Sequence, residues 1–295
     1  MKNETGKRIS AVNAVLLTFI SLLSVTALAL PSAHAASSMT AADQCDAEAG
    51  SEHDLQRNMA FRPVATEDIR IGIALSACRE AYNQGAGPRQ TFELARVLHA
   101  AGQRGRAMAL LEKAAEGNHA AAMVNYAVMI GERGDHAAGF ALYQKAAATG
   151  NILAAYNLGV AYRDGVGTPA NGALAAQWFE RASVAKDNLG AFNLAIMLDE
   201  GVQVPEDNRK AAQFYKLAAG RGNVDAMINL ALMLESGEGM PADPAAASAM
   251  FAIAAAKGDA FAQAKIAPQI DTVTTAGIDP NEQASLILAK TSRLK

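Results

Sequence analysis

The sequence predicts an all-α solenoid of antiparallel helix pairs, and three observations predict it. First, a unit-end marker recurs as Gly117-Asn118, Gly150-Asn151, Asp187-Asn188, Gly222-Asn223 and Gly258-Asp259, at spacings of 33, 37, 35 and 36 residues. Second, Asn125-Tyr126-Ala127, Asn157-Leu158-Gly159, Asn193-Leu194-Ala195 and Asn229-Leu230-Ala231 repeat with a matching period. Third, 51% of the 295 residues are hydrophobic while only 5% are aromatic, so the core is built largely of alanine, as suits closely packed helices. A period in the thirties means stacked helix pairs, none of which can bury its apolar face alone.

The elements follow in chain order. Residues 1–35 read as a signal peptide: Lys2, Lys7 and Arg8 start it, Ala11 to Leu30 is mostly apolar, and Ala33 and Ala35 present small side chains for cleavage after Ala35. The alternative is an uncleaved anchor, since the apolar run is nearly long enough to span a bilayer. Residues 36–66 are a polar N-terminal arm with few core residues. A helix is expected from about Glu67 to Gln84, with Ile71, Leu75, Cys78 and Tyr82 on one face, in a segment reaching residue 86. Export would place Cys45 and Cys78 in an oxidising compartment, where two cysteines read as one disulfide. Closing that 33-residue separation is worth about 3–4 kcal/mol in the loop-entropy account. Its expected role is to pin a poorly packed arm onto the first helix.

Residues 87–259 hold five repeats. In the unit Ala154 to Asn188, Ala154, Leu158 and Ala161 share one helix face, and Gly159 admits the second helix. Ala175, Trp178, Phe179 and Ala182 oppose them, with Trp178 expected as the filling bulk. Gly165-Val166-Gly167-Thr168-Pro169 breaks the chain between them, and Gly201 to Pro205 and Gly237 to Pro241 do so in the copies. The first two units have shorter turns, Ala101 to Arg104 and Gly131 to Gly134. Residues 260–295 read as a cap: a helix from Ala260 to Ala267 ended by Pro268, a non-helical stretch, and a short helix started at Asp279-Pro280.

The Tyr156-Asn157-Leu158-Gly159 helix, the Asp164-Gly165-Val166-Gly167 turn and the Trp178-x-x-x-Ala182 helix resemble the Sel-one-like repeat, a relative of the tetratricopeptide repeat. The short-turned units are more similar to ordinary tetratricopeptide repeats. The resemblance implies a right-handed superhelical solenoid whose first helices line a concave face, and an exported bacterial member acting as an adaptor or regulator. It places Asn125, Asn157, Asn193 and Asn229 at one equivalent position there, beside Tyr156, Phe192 and Ile228, with Val160, Ile196 and Leu232 one turn on. An amide both donates and accepts, so this row can hold an extended peptide backbone. Equally, each amide can bond a neighbouring repeat and fix the stacking.

No catalytic constellation is found: phosphate-loop, zinc-helix and nucleophile-elbow patterns are absent. His34, His53, His99, His119 and His136 are dispersed and read as surface or turn residues, so no metal and no cofactor is expected. Pairs such as Asp199-Glu200 read as a solvated rim. A formal charge of −3 with scattered lysines and arginines excludes nucleic acid. The leading expectation is an exported, non-enzymatic protein that binds a protein or peptide and is not inserted in the membrane after signal cleavage; oligomeric state is left open. The alternatives are a β-lactam-binding or hydrolysing enzyme, as cysteine-rich relatives suggest although this chain lacks their disulfide in each repeat, and a structural, glycan-associated envelope component.

Overall fold

The computed structural model describes residues 39–85 and 87–274. The signal segment with Ala33 and Ala35, and the expected helix after Asp279, lie outside the described residues. The described chain holds thirteen α-helices and no strand: α1 (Ala41–Ala49), α2 (Ile71–Asn83), α3 (Pro88–Ala100), α4 (Arg104–Glu116), α5 (Ala120–Gly131), α6 (His136–Ala148), α7 (Ile152–Asp164), α8 (Gly172–Val184), α9 (Asn188–Glu200), α10 (Asn208–Gly220), α11 (Val224–Ser236), α12 (Pro244–Ala256) and α13 (Ala260–Thr274). Each helix packs on its neighbours in sequence, and α1 also packs on α3. From α3 onward this is a solenoid of helix pairs.

Capping explains the period. The first helices of successive units start at a side chain that accepts a hydrogen bond from a backbone N–H of the first turn: His119 from Ala122, Asn151 from Ala154, Asp187 from Gly190, Asn223 from Ala226 and Asp259 from Ala262. The residue before each cap has positive φ: Asn118, Gly150, Lys186, Gly222 and Gly258. The sequence markers therefore slip by one residue in two places, at Gly117-Asn118 and at Asp187-Asn188. In the corrected register, His119 to Asn151 is 32 residues, while Asn151 to Asp187, Asp187 to Asn223 and Asn223 to Asp259 are 36 each.

The longer period comes from a turn that is the same in three units. Gly165, Gly201 and Gly237 end the first helix in the left-handed conformation, and the caps of the second helices, Asn171, Asp207 and Asp243, donate backbone N–H to Tyr162 O, Leu198 O and Leu234 O at 2.7, 2.8 and 2.8 Å. The tip of each turn, Gly167, Gln203 or Gly239, has positive φ and presses on the first residue of the preceding unit's second helix. A Cβ on Gly167 would lie 2.2 Å from His136 O, and one on Gly239 2.2 Å from Asn208 O. At the middle contact the turn carries Gln203 and the helix carries Gly172, where a Cβ would lie 2.3 Å from Gln203 O. Each of the three contacts thus contains at least one glycine.

Several expectations are corrected. Phe179, with no exposed surface, fills the space above Gly159, where an added Cβ would lie 2.5 Å from its ring. Trp178 is only half-buried and stacks on Arg181 at 4.6 Å, because one step along a helix turns a side chain by 100°. The helix expected from Glu67 starts at Ile71 after a single 3₁₀ turn, Thr66–Asp68, and buries Ala74, Ala77, Cys78 and Ala81, leaving Ile71 exposed. Helix α13 runs through Pro268 to Thr274: proline removes one backbone donor, and the helix continues past it. Among the described residues no helix is long and apolar enough to cross a membrane.

Gly172→Ala should cost about 1–3 kcal/mol by overpacking, read by urea denaturation of the full chain. Adding Gln203→Gly removes the clash with the Gln203 Cβ at 2.4 Å but leaves that with its carbonyl oxygen at 2.3 Å, so only part of the loss should be recovered. Gly220→Ala, on an open helix surface, should instead stabilise by about 0.5 kcal/mol.

Candidate functional site

The corrected register defines one row on the first helices. Six residues after the starts at Gly87, His119, Asn151, Asp187, Asn223 and Asp259 stand Glu93, Asn125, Asn157, Asn193, Asn229 and Lys265. One residue earlier come Phe92, Val124, Tyr156, Phe192 and Ile228, and one turn later Arg96, Val128, Val160, Ile196 and Leu232. The four asparagines are all half-buried. Asn125 lines a cleft of about 290 Å³ with Arg96, Val128 and Glu132, Asn157 one of about 200 Å³ with Val160, and Asn229 one of about 630 Å³ with Leu232. Asn193 is engaged within the fold: its Oδ1 accepts from the Arg163 guanidinium, and its Nδ2 donates to Leu189 O at 2.9 Å.

In the first unit the row holds the chain's own N-terminal arm. The arm is not poorly packed. Helix α1 buries Cys45, Asp46, Glu48 and Ala49, and the Cys45–Cys78 disulfide joins it to α2. Its acidic side chains meet partners from distant segments: Arg89 makes a two-pronged contact with Asp46 at 3.0 and 3.1 Å, Asn58 donates to Asp46 at 3.0 Å, and Arg70 grips Glu48. Arg96 donates to the carbonyls of Ala49 and Val64, the latter at 2.8 Å. Further along, Gln56 accepts from Ala120 N at 3.2 Å, and Asn151 donates to His53 O at 3.4 Å. The arm therefore lies across the first helices of three units, and Ser51, His53, Val64 and Thr66 share a cleft with Arg96 and Asn125.

Glu93 is the chemically unusual group here. It has no exposed surface, and its Oε2 lies 3.2 Å from Cys45 Sγ, a disulfide sulfur with no proton to give. Burial, then the charge of Asp46 and a hydrogen bond between the two carboxyls, push its pKa up to about 9, against the opposing charge of Arg89. Protonated, it offers one donor and one acceptor, as an amide does at the same position in the next four units. His119, expected as a surface or turn residue, lies at a turn but is 1% exposed: it caps α5, stacks on Phe92 at 4.7 Å, and faces the buried carboxylate of Asp54 at 3.2 Å without the alignment of a hydrogen bond. Composition hid Glu93 and Arg96, because only stepping back 32 residues from Asn125 and Val128 reaches them.

A family model for the Sel1 repeat matches residues 92–119, 120–151, 152–183, 189–223 and 224–259. The chain belongs to the Sel1 repeat family. Members of this family are in general protein-interaction scaffolds. Among solved structures, c5321 of uropathogenic Escherichia coli, described as a protective antigen displaying an SLR fold, shares 23% identity at a TM-score of 0.63, over 76% of this chain and 49% of that one. A Sel1 repeat protein from Oxalobacter formigenes shares 25% identity at a TM-score of 0.59, over 66% and 59%. The chain thus spans about half to three fifths of the length of these relatives. No curated protein sequence matches it.

Two measurements test the arm's attachment. Glu93 in the unfolded chain ionises near its ordinary 4.5 but keeps its proton in the fold to about 9, so the unfolded state binds fewer protons across that window and stability falls as pH rises from about 5 to 9. Glu93→Gln should flatten the thermal midpoint against pH, with its gain over the parent largest near pH 9. Arg96→Met removes the grip on Ala49 O and Val64 O, and trypsin should then cut after Arg57 at least about tenfold faster, since cleavage follows local opening.

Proposed function

We propose that the first-helix face holds an extended segment of a partner protein along Asn125, Asn157 and Asn229, passing over Asn193, whose amide is bonded within the fold, and that the chain serves as an exported adaptor or regulator of the bacterial envelope, without catalysis. The observation that carries this reading is the first unit, where the same row positions, Glu93 and Arg96, hold a polypeptide of the chain itself. In later units the polar groups of the row alternate with apolar ones: Tyr156 and Val160 flank Asn157, Phe192 and Ile196 flank Asn193, and Ile228 and Leu232 flank Asn229. Amides suit the main chain of a bound segment, and the apolar positions between them suit its side chains. Export is supported by the basic start, the apolar run and the Ala33-x-Ala35 site, and by a disulfide that suits an oxidising compartment.

The test is affinity capture from envelope extract with tagged full-length chain, whose mass should show a mature protein starting at Ala36. A specific protein should be retained by the parent and reduced at least about tenfold by Val160→Arg with Leu232→Arg, the loss expected when charges enter an apolar contact. Full retention by that variant would show that the row is not the docking face.

A further inference from the structure

Two of the junctions between the last units set a cation against a buried aromatic ring, and among the described residues the middle junction has none. Where α7 meets α8 and α9, the Arg163 guanidinium donates to both oxygens of Asp164 at 2.7 and 2.9 Å and to Asn193 Oδ1, and lies 5.8 Å over the Phe179 ring. Where α11 meets α12 and α13, the Lys265 ammonium is 2.7 Å from Glu235 and 5.3 Å over Phe251. Both junctions therefore place a cation between a carboxylate at the end of a first helix and the aromatic ring of a second helix, but from different positions: Arg163 ends a first helix, whereas Lys265 stands at the row position of Asn193, with Glu235 at that of Arg163.

Between them, at α9, α10 and α11, the ring and the acceptors are present. Tyr215 stands 36 residues after Phe179 and 36 before Phe251. The local frame is conserved: Tyr156 and Phe179 have ring centroids 5.9 Å apart at 50°, and Phe192 and Tyr215 6.0 Å apart at 51°. Glu200 takes the place of Asp164, and Asn229 that of Asn193. At the position of Arg163, however, stands Asp199, which accepts the Tyr215 hydroxyl at 3.0 Å. Among the described residues, the resulting cleft of about 630 Å³ is lined by no basic side chain, although Glu235 on its wall pairs with Lys265, and the last turn of α9 carries none. Two carboxylates at a helix C-terminus add to a dipole that is already negative there, which favours a cation beside Asp199 and Glu200.

We infer that this cleft is a subsite for an arginine of the partner's extended segment. Its guanidinium takes the place that Arg163 fills one unit earlier, donating to Glu200 and Asp199 and to Asn229 Oδ1, with Tyr215 beneath. A planar fork of donors matches two carboxylates and an amide oxygen better than the point charge of lysine does. The occupant is a residue within a chain because the cleft lies on the face proposed to hold an extended segment. The inference rests on the docking face proposed above and deepens it.

The probe is N-acetyl-arginine amide, titrated into the full chain while the side-chain amide of Asn229 is followed by NMR, with Asn157 as reference. Asn229 should shift saturably; the capped lysine should bind several-fold more weakly, and capped citrulline should leave Asn229 in place. Asp199→Arg supplies the cation from within, so it should abolish the shift and raise the thermal midpoint, which separates occupancy from misfolding. The inference is overturned if citrulline moves Asn229 as far as arginine does, if Asp199→Arg leaves the titration unchanged, or if capped arginine gives no shift. Partner capture that still depends on Val160 and Leu232 in those cases would leave the docking face standing without this subsite.

Discussion

The stack depends on backbone approaching backbone at the tips of the long turns. A positive-φ residue at each tip meets the opening residue of the previous unit's second helix at a separation that excludes a Cβ on one partner. That contact binds consecutive units through a route separate from the apolar packing of α7 against α8 or α9 against α10. It also accounts for the extra residues of the 36-residue unit: the short turn of the second unit meets the start of the preceding second helix through the side chains of Glu132 and Arg104 instead. The alanine-rich helix faces then close at short range, and each long unit carries one nearly or fully buried aromatic ring on its second helix, Phe179, Tyr215 or Phe251.

One row position changes its chemistry along the stack while keeping its place. Glu93 is a buried carboxyl that keeps its proton, the next four are amides, and Lys265 is an ammonium paired with Glu235. At the N-terminal end the position is used internally, to fasten the arm. There the disulfide, the Arg89–Asp46 fork and the two carbonyl contacts of Arg96 act on one short helix and the strip that follows it. Further on, Asn157 and Asn229 line clefts, while Asn193 is taken by Arg163. A single repeated geometry thus serves both as internal scaffold and as surface.

The repeat was legible in the sequence because turn and cap positions tolerate few residue types. Its register was not fully legible. The left-handed residue before the cap is Asn118 in one unit and Lys186 in another, so a reading anchored on glycine slips by one residue at each. Size alone could not decide between Trp178 and Phe179, which are adjacent; the decisive neighbour, Gly159, lies on the other helix. The arm looked poorly packed because the partners of Asp46 and Ala49 come from Arg89 and Arg96, more than forty residues away. The Asn row could be read at four units, whereas Glu93 breaks the residue type that advertises it. Asp199 and Glu200 read as a solvated rim because their significance lies in a comparison between junctions, which requires knowing what Arg163 touches.

The glycine at each turn contact also bears on how such a chain can gain or lose repeats. Excising residues 187–222 would bring the turn of Gly239 onto Gly172, glycine against glycine, and the joint could close. Excising residues 151–186 would set Gln203 against His136, with a side chain on both partners and no room for either. Units of equal length and common ancestry are therefore not interchangeable cassettes: each carries half of a lock whose other half is in the unit before it, and a recombination event is tolerated or rejected according to which halves it joins.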